Sequence, residues 1–361
     1  LSPQLLEVNY DIDKGIEEAV SIGKSDNICI NNFNIVKAML GKNNIKIEKL
    51  IGGKLMKIGA IDIGTNSMRL LVAEYIDGKL YNREKFVNTT RIGQGVDSEG
   101  YISEEAIERN IKALKEFSDI ANKKGCEYIY CIGTSALRDS KNGNEFIDLA
   151  KVETNLDVDI ISGEEESNLG FIGVLQGLDD TNNILVLDIG GGSTEFILGD
   201  ESGIKYAKSE NVGALRMTEK FLATDPICEN EFEDMSNFIG ETISDTINIL
   251  KEKNIRQIVG IGGTITSVSA INQELETYSM EKIHGSKVNE KELDNILQNL
   301  KKMTLNDKKN IKGLQPKRAD IITAGVEILH TIMKNIEIDE ITVSEYDNLE
   351  GLMCQMAKKM S

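Results

Sequence analysis

The chain has 361 residues, enough at roughly 150 residues per domain for two domains. Its 41 Lys and Arg stand against 59 Asp and Glu, a formal net charge of −18 that repels a nucleic-acid backbone but still permits a small anion held by backbone amides or a cation. With 40% hydrophobic and 28% charged residues, no apolar run near ~20 residues and no visible secretory signal, a globular cytoplasmic protein without a membrane partner is expected.

Histidine occurs twice, at His284 and His330, which argues against His-rich metal sites and a Ser-His-Asp triad. Five cysteines (Cys29, Cys126, Cys131, Cys228 and Cys354) are scattered without a CxxC pair, as expected of reduced, mostly buried thiols. Chemistry is left to carboxylates, hydroxyls, Arg and Lys, backbone amides and a bound cation.

Residues 1–56 form an Asn-rich, weakly periodic extension, read as an appendage or an upstream start of unknown role, with a local helix signal at Asp13, Ile16, Ala19 and Val20. From Lys57 the pattern becomes strand (KIGAIDI), turn (GTNS), strand (MRLLVAEY), a turn at Asp77-Gly78 and strand (KLYNREKFV). Ser103 then caps a helix with Glu104 and Glu105 in its first turn, and Ile107, Ile111, Leu114, Phe117 and Ala121 line one face to about Lys124. YIYCIG (128–133) and VDII (158–161) are further strands, the second followed by Ser162-Gly163-Glu164-Glu165-Glu166-Ser167 and an apolar helix.

At Ile184 the opening pattern returns. IDIGTNSMRLLVAEYIDG and LDIGGGSTEFILGDESG are one supersecondary unit written twice, with an offset of 126 residues from Asp62 to Asp188. The duplication predicts two similar α/β domains facing one another, residues 57–170 and 171–361. Helical faces follow at Phe232, Met235, Ile239, Ile243 and Leu250 and at Leu293, Ile296, Leu297 and Leu300, with short strands QIVGI (257–261) and ITV (341–343).

Both glycine turns sit between two strands, which separates them from a P-loop or a dinucleotide fingerprint. They offer backbone N–H groups and small polar side chains (Thr65, Asn66, Ser67, Ser193, Thr194) to an anion. An aspartate ends the strand before each turn. A carboxylate beside a phosphate becomes favourable when a divalent cation lies between them, so Asp62 and Asp188, with Glu195 just beyond, are candidate Mg²⁺ ligands. A third turn, Gly260-Ile261-Gly262-Gly263-Thr264, leads from a strand into a helix whose N-terminus can take an anion. From the residues alone, Glu164-Glu165-Glu166 reads as an acidic helix start and Arg138 as a surface ion-pair partner.

IDIGTNSMRLLVAE, RIGQGVDSEGYISEEAIER, GTSALRDS, IISGEEESNLGFIGV, VLDIGGGSTEFILG, GIGGTITSV and GLQPKRADIITAG occur in that order. Together they resemble the exopolyphosphatase / guanosine pentaphosphate phosphohydrolase (Ppx/GppA) family, over nearly all of residues 57–351. The resemblance implies two ribonuclease-H-like domains of the actin-like ATPase superfamily with the active site in the cleft between them. It implies hydrolysis of the terminal phosphoanhydride of inorganic polyphosphate, or of guanosine pentaphosphate (pppGpp), with Mg²⁺. It assigns catalysis to Glu166, phosphate contacts to Asn66, Ser67, Arg138 and the turn Gly190-Gly191-Gly192-Ser193-Thr194, and the metal site to Asp188 and Glu195 beside Asp62. A homodimer is also a family-level implication. Packing of Glu164 and Glu165 beside Glu166 is expected to raise the pKa of one of them. Arg318 and Asp320 are expected to form a structural pair. Ser167 stands where the family often has alanine. Longer relatives carry an additional helical domain; this chain resembles the short, two-domain form. The competing classes are a sugar or acid kinase of the same superfamily and an actin-like nucleotide-binding scaffold or regulator.

Overall fold

The computed structural model describes residues 55–360. Nearly all of the extension, with its helix signal near Asp13, lies outside the described residues. The first half runs β1 (Met56–Ile63), β2 (Met68–Ile76), β3 (Lys79–Asn88), α1 (Val96–Glu99), α2 (Glu104–Lys123), β4 (Tyr128–Gly133), α3 (Ser135–Asp139), α4 (Gly143–Thr154), β5 (Val158–Ile160) and α5 (Gly163–Gly177). The second runs β6 (Ile184–Ile189), β7 (Thr194–Asp200), β8 (Gly203–Glu210), α6 (Ala214–Phe221), α7 (Glu229–Lys251), β9 (Gln257–Ile261), α8 (Gly262–Asn272), α9 (Met280–Ile283), β10 (Lys287–Asn289), α10 (Glu290–Lys302) and α11 (Leu305–Lys308). A single 3₁₀ turn (Pro316–Arg318), α12 (Ile322–Ile336), β11 (Glu340–Val343) and α13 (Asn348–Met360) complete it.

The duplication is visible in the sheets. The first has the order β3-β2-β1-β4-β5 and the second β8-β7-β6-β9-β11-β10. In each, three antiparallel strands lead into parallel partners, and the second adds β10 antiparallel at its edge. The central strands β1 and β6 are almost entirely buried, so MKIGAIDI and ILVLDI read as near-continuous apolar runs instead of alternating ones. The edge strand β3 carries the partly exposed polar residues.

The helices follow their caps and stripes. Ser103 accepts from the Ala106 N–H and starts α2, which buries Ile111, Leu114, Phe117 and Ala121 against the first sheet. On the outer face of the second sheet, α7, α10 and α12 bury Met235, Ile239, Leu293, Leu297, Ile328 and Ile332.

Between the sheets the chain exchanges helices. Helix α5 leaves β5 of the first sheet but packs Phe171 and Val174 on the second, against Ile184, Val186 and Ile197. The C-terminal α13 leaves β11 of the second sheet but packs Leu352, Met353 and Ala357 on the first, with Ile58 and Ala60. The division expected at residues 170 and 171 therefore falls inside α5.

Where α5 and α13 cross, glycines allow backbone contact. A Cβ at Gly351 would lie 1.9 Å from the Leu169 carbonyl oxygen, and one at Gly173 would lie 2.0 Å from that of Asp347. Neither obstacle is a flexible side-chain end, so a methyl must push the helices apart. Gly351→Ala is expected to destabilise the fold by about 1–3 kcal/mol, read as a lower urea midpoint at unchanged m-value; an unchanged midpoint would mean that the crossing can open at no cost.

Candidate active site

The two glycine turns have the same backbone: Gly64 N–H donates to the Ser67 carbonyl at 3.1 Å, and Gly190 N–H to that of Ser193 at 3.0 Å. They meet at the floor of a cleft between the sheets. An added Cβ on Gly191 would sit 3.1 Å from the Asn66 nitrogen, and one on Gly192 would sit 2.5 Å from Ser135 Oγ. Thr65 and Ser135 bond across this floor at 2.7 Å. Asp62, Asn66, Ser67, Glu166, Asp188, Gly190, Gly191 and Ser193, all expected from sequence, line the one cleft. Gly192, Thr194, Glu195 and Arg138 do not line it; Arg138 is a quarter exposed, and Thr194 Oγ1 donates to the Val212 carbonyl at 2.5 Å.

The hairpins differ where charge matters. Asp62 lies opposite Arg69 across β1 and β2, and Asp188 lies opposite Glu195 across β6 and β7. These are equivalent positions of the repeat, one holding a cation and the other an anion. Arg69 donates to Asp62 Oδ2 through Nε at 3.0 Å and Nη2 at 2.5 Å, and to Asp347 Oδ2 through Nη1 at 2.7 Å. Asp188 accepts only from Asn348 Nδ2, at 3.2 Å. Gly170 leaves room for Asn348, since a Cβ there would come 2.7 Å from its Oδ1. Burial pushes the Asp188 carboxyl up to about 7, helped by the neighbouring Glu195 charge and opposed by Arg69. Glu195 is fully buried and accepts from Ser193 and Ser209 hydroxyls, both at 2.7 Å; burial raises its pKa and those bonds lower it.

Glu166 begins α5. Ser162 and Glu165 form a reciprocal capping box in which Ser162 Oγ accepts from the Glu165 N–H at 3.2 Å and Glu165 Oε2 accepts from the Ser162 N–H at 2.8 Å. Glu164 and Glu165 thus stay at the surface while Glu166 turns inward, 7% exposed. Its pKa is well above the usual carboxylate range because it is buried, with the Glu195 and Asp188 charges adding and Arg138 opposing. The expected cause, its neighbours Glu164 and Glu165, is corrected: they point to solvent, and the charges that matter come from the second domain. Arg138 Nη1 donates to the Ile161 carbonyl at 2.8 Å and reaches Glu166 Oε2 at 3.3 Å.

A second correction concerns Arg318. Asp320 does not pair with it but with Arg91, at 2.6 and 2.8 Å. Residues two apart in a 3₁₀ or helical turn do not face each other, so the short spacing worked against that pair. Arg318 instead enters the cleft and lies over Gly263, where an added Cβ would be 2.2 Å from its Nη1. No carboxylate pairs with it among the described residues. Burial, then the nearby Arg69 charge, lowers its pKa to about 10. It shares this wall with the N-terminus of α8, whose first amides lack intrahelical partners. Asp188 approaches the same helix start, its Oδ1 lying 2.3 Å from where a Cβ on Gly262 would sit; an anion held by Arg318 and these amides would therefore sit beside a carboxylate, a pairing that a cation between them makes favourable.

The opposite wall has the complementary lack. Asp62 Oδ1, Asn66 Oδ1 and Asn348 Oδ1 are buried acceptors without a hydrogen-bond partner. Among the described residues no group of three His, Cys, Asp or Glu forms a closed metal site. A divalent cation would therefore rest on one or two carboxylates, with Asp188 the least satisfied, and take its other oxygens from water and phosphate. That donor set suits Mg²⁺. Arg69, Asn348 and Arg318 were not among the expected site residues. Arg69 was detectable as the repeat partner of Glu195; Asn348 carries no local signal.

Comparison with known proteins gives the family. The model of the Ppx/GppA phosphatase family matches residues 71–360. The chain is 38% identical over 309 residues to a bifunctional 3-dehydroquinate synthase/phosphatase of Fusobacterium nucleatum, covering 82% of this chain and 46% of that protein, so it spans about half the length of that relative. It is 31% identical to exopolyphosphatase 2 of Mycobacterium tuberculosis, over 84% of this chain and 99% of that one. Among solved structures it is similar to the Aquifex aeolicus family member (TM-score 0.73, 29% identity, 85% and 99% coverage) and to an exopolyphosphatase from Cytophaga hutchinsonii (TM-score 0.78, 29% identity, 84% and 98% coverage). The chain belongs to the Ppx/GppA phosphatase family. It has that family's two-domain, actin-like ATPase fold, and the family makes it a phosphatase-type hydrolase.

The raised Asp188 pKa gives a signed stability test. The folded carboxyl keeps its proton up to about pH 7, while the unfolded one loses it near pH 4. Between those values the native state binds more protons, so this group's contribution falls as pH rises and is gone above about pH 7. The melting temperature in EDTA should drop between pH 5 and pH 8, and Asp188→Asn should flatten that slope; equal slopes would show that Asp188 ionises normally.

Proposed function

We propose that the chain is an exopolyphosphatase that removes the terminal phosphate of inorganic polyphosphate by direct attack of water, with Mg²⁺ as cofactor. The carrying observation is one buried glutamate, Glu166, facing a cleft whose other wall is an unpaired arginine and a helix N-terminus. Phosphoryl transfer asks a protein to position the phosphate, neutralise its charge and orient the nucleophile. Arg318 and the first amides of α8 would hold equatorial oxygens of the terminal phosphate, with Asn66 and Ser67 on the first turn. The raised pKa of Glu166 suits a base working near neutrality. It would take a proton from water as the water oxygen bonds to phosphorus and the bridging oxygen departs on the shortened chain. Asp188 would hold Mg²⁺, assisted by Glu195 behind it, and the bound ion would offset charge on the phosphate oxygens.

Polyphosphate is favoured over pppGpp because, among the described residues, no aromatic ring lines the cleft; its apolar lining is Ile189, Ala214 and Ile321. A nucleotide base has little to stack on there. Release of free phosphate without transfer to an acceptor would separate this reading from a kinase and from a nucleotide-gated scaffold.

Glu166→Gln should lower kcat for phosphate release from polyphosphate on the order of 10²- to 10⁴-fold, with little change in KM or melting temperature. Polyphosphate, pppGpp and ATP should be run side by side with and without Mg²⁺. Full activity in the variant would remove the proposed base, and faster turnover of pppGpp than of polyphosphate would reassign the substrate.

A further inference from the structure

Arg318 is held in an electrostatically unfavourable place. It is surrounded by Arg69 and the α8 N-terminus and has no carboxylate partner among the described residues. Something other than charge must keep it in the cleft. The 3₁₀ turn that carries it (Pro316–Arg318) is short, and it is joined across the cleft to the first domain. Arg91 Nη1 and Nη2 clamp both oxygens of Asp320 at 2.6 and 2.8 Å, and Nη2 also donates to the Lys317 carbonyl at 2.7 Å. One guanidinium thus grips the residue before Arg318 and the one two places after it.

The other end of this strut is the first phosphate turn. Arg91 N–H donates to the Asn66 carbonyl at 2.9 Å, and Gly93 N–H to that of Thr65 at 2.9 Å. Arg91 adopts a left-handed backbone, φ +49°, which a non-glycine residue holds only when its surroundings impose it. Arg109 supplies part of that support from α2, donating to the carbonyls of Thr90 at 2.6 Å and Arg91 at 3.3 Å.

We propose that Arg91 is a positioning residue that couples the two domains: anchored on the first phosphate turn, its fork fixes the residues flanking Arg318 and so holds that guanidinium over the α8 N-terminus, where the substrate phosphate would lie. The claim rests on the proposed phosphate chemistry for its kinetic consequences, but not for its structural ones. The Arg91 and Asp320 side chains are 24% and 29% exposed. The pair is partly buried and two-pronged, so its loss can lower global stability as well; the strut itself is read in a local change at residues 315–321 that exceeds any global one. Lysine offers one ammonium in place of a planar fork and cannot hold both partners in the same geometry.

The test compares Arg91→Ala, Arg91→Lys, Asp320→Asn, Arg318→Ala and the Arg91→Ala/Arg318→Ala double variant. Without any ligand, hydrogen exchange of the backbone amides across residues 315–321 should quicken by about tenfold or more in Arg91→Ala, beyond any change at amides in the two sheets. With polyphosphate, Arg91→Ala should lose kcat/KM on the order of 10- to 100-fold, mainly through KM, and Arg91→Lys should not restore it. The double variant should be no worse than Arg318→Ala alone, because the first change acts through the second. Unchanged exchange at 315–321, or losses in the double variant that multiply, would overturn the proposal. If the parent protein releases no phosphate from polyphosphate, the exopolyphosphatase reading fails, and the exchange measurement still decides the strut.

Discussion

The structure depends on an unresolved charge separation across one cleft. On one side Glu166, Asp188 and Glu195 are buried together, and their pKa values rise chiefly because burial disfavours the charged form, with neighbouring carboxylates adding at Glu166 and Asp188. On the other side Arg318, with no carboxylate partner among the described residues, lies over the N-terminus of a helix that Asp188 also approaches. Ions of both signs fit such a gap better than either sign alone. A phosphate brings negative oxygens to the arginine wall, and a cation brings positive charge to the carboxylate wall.

Glycines and exchanged helices keep the walls where they are. Gly191 lets the two turns touch, Gly262 (φ +81°) leaves room beside Asp188, and Gly263 admits Arg318. The exchange of α5 and α13 then makes each central helix serve the other domain's site. Helix α5 packs on the second sheet yet carries Glu166 in its first turn, just after the first domain's last strand. Helix α13 packs on the first sheet yet begins at Asn348, which holds Asp188 of the second. Opening the cleft would require sliding two helices whose backbones touch at Gly173 and Gly351.

Features written in local chemistry were legible in the sequence: the repeat, the strand-turn-strand context of the glycines, the Ser103 cap, the helical stripes of α7 and α10, and the aspartates ending β1 and β6. The inward turn of Glu166 was half legible. Ser162 and Glu165 spell a capping box, and a boxed N3 glutamate leaves the next residue to face another way, yet only the tertiary fold shows that it faces Asp188. What escaped was set by distant contacts. Arg318 and Asp320 lie two residues apart, so proximity suggested a pair, while Asp320's partner lies 229 residues away. Asn348 reaches Asp188 across 160 residues, and nothing in DNLEG announces it. The destination of α13 was hidden for the same reason, since an amphipathic stripe shows that a helix is buried and not which sheet buries it.

The repeat also shows why a duplicated fold need not yield two equivalent sites. The turns share a hydrogen bond and a strand-end aspartate, but Arg69 and Glu195 occupy equivalent places with opposite charge. Arg69 neutralises Asp62 and joins it to Asp347, which makes the first turn nearly charge-balanced and able to approach a phosphate without repelling it. Glu195 leaves the second turn with two adjacent carboxylates, which repel a bare phosphate and attract a cation. The difference of one side chain polarises the cleft along its length. On the proposed chemistry it fixes the order of the components: anion against the first turn and the arginine wall, cation against the second, and Glu166 beside both, where a water molecule aligned with the terminal phosphate would meet its base.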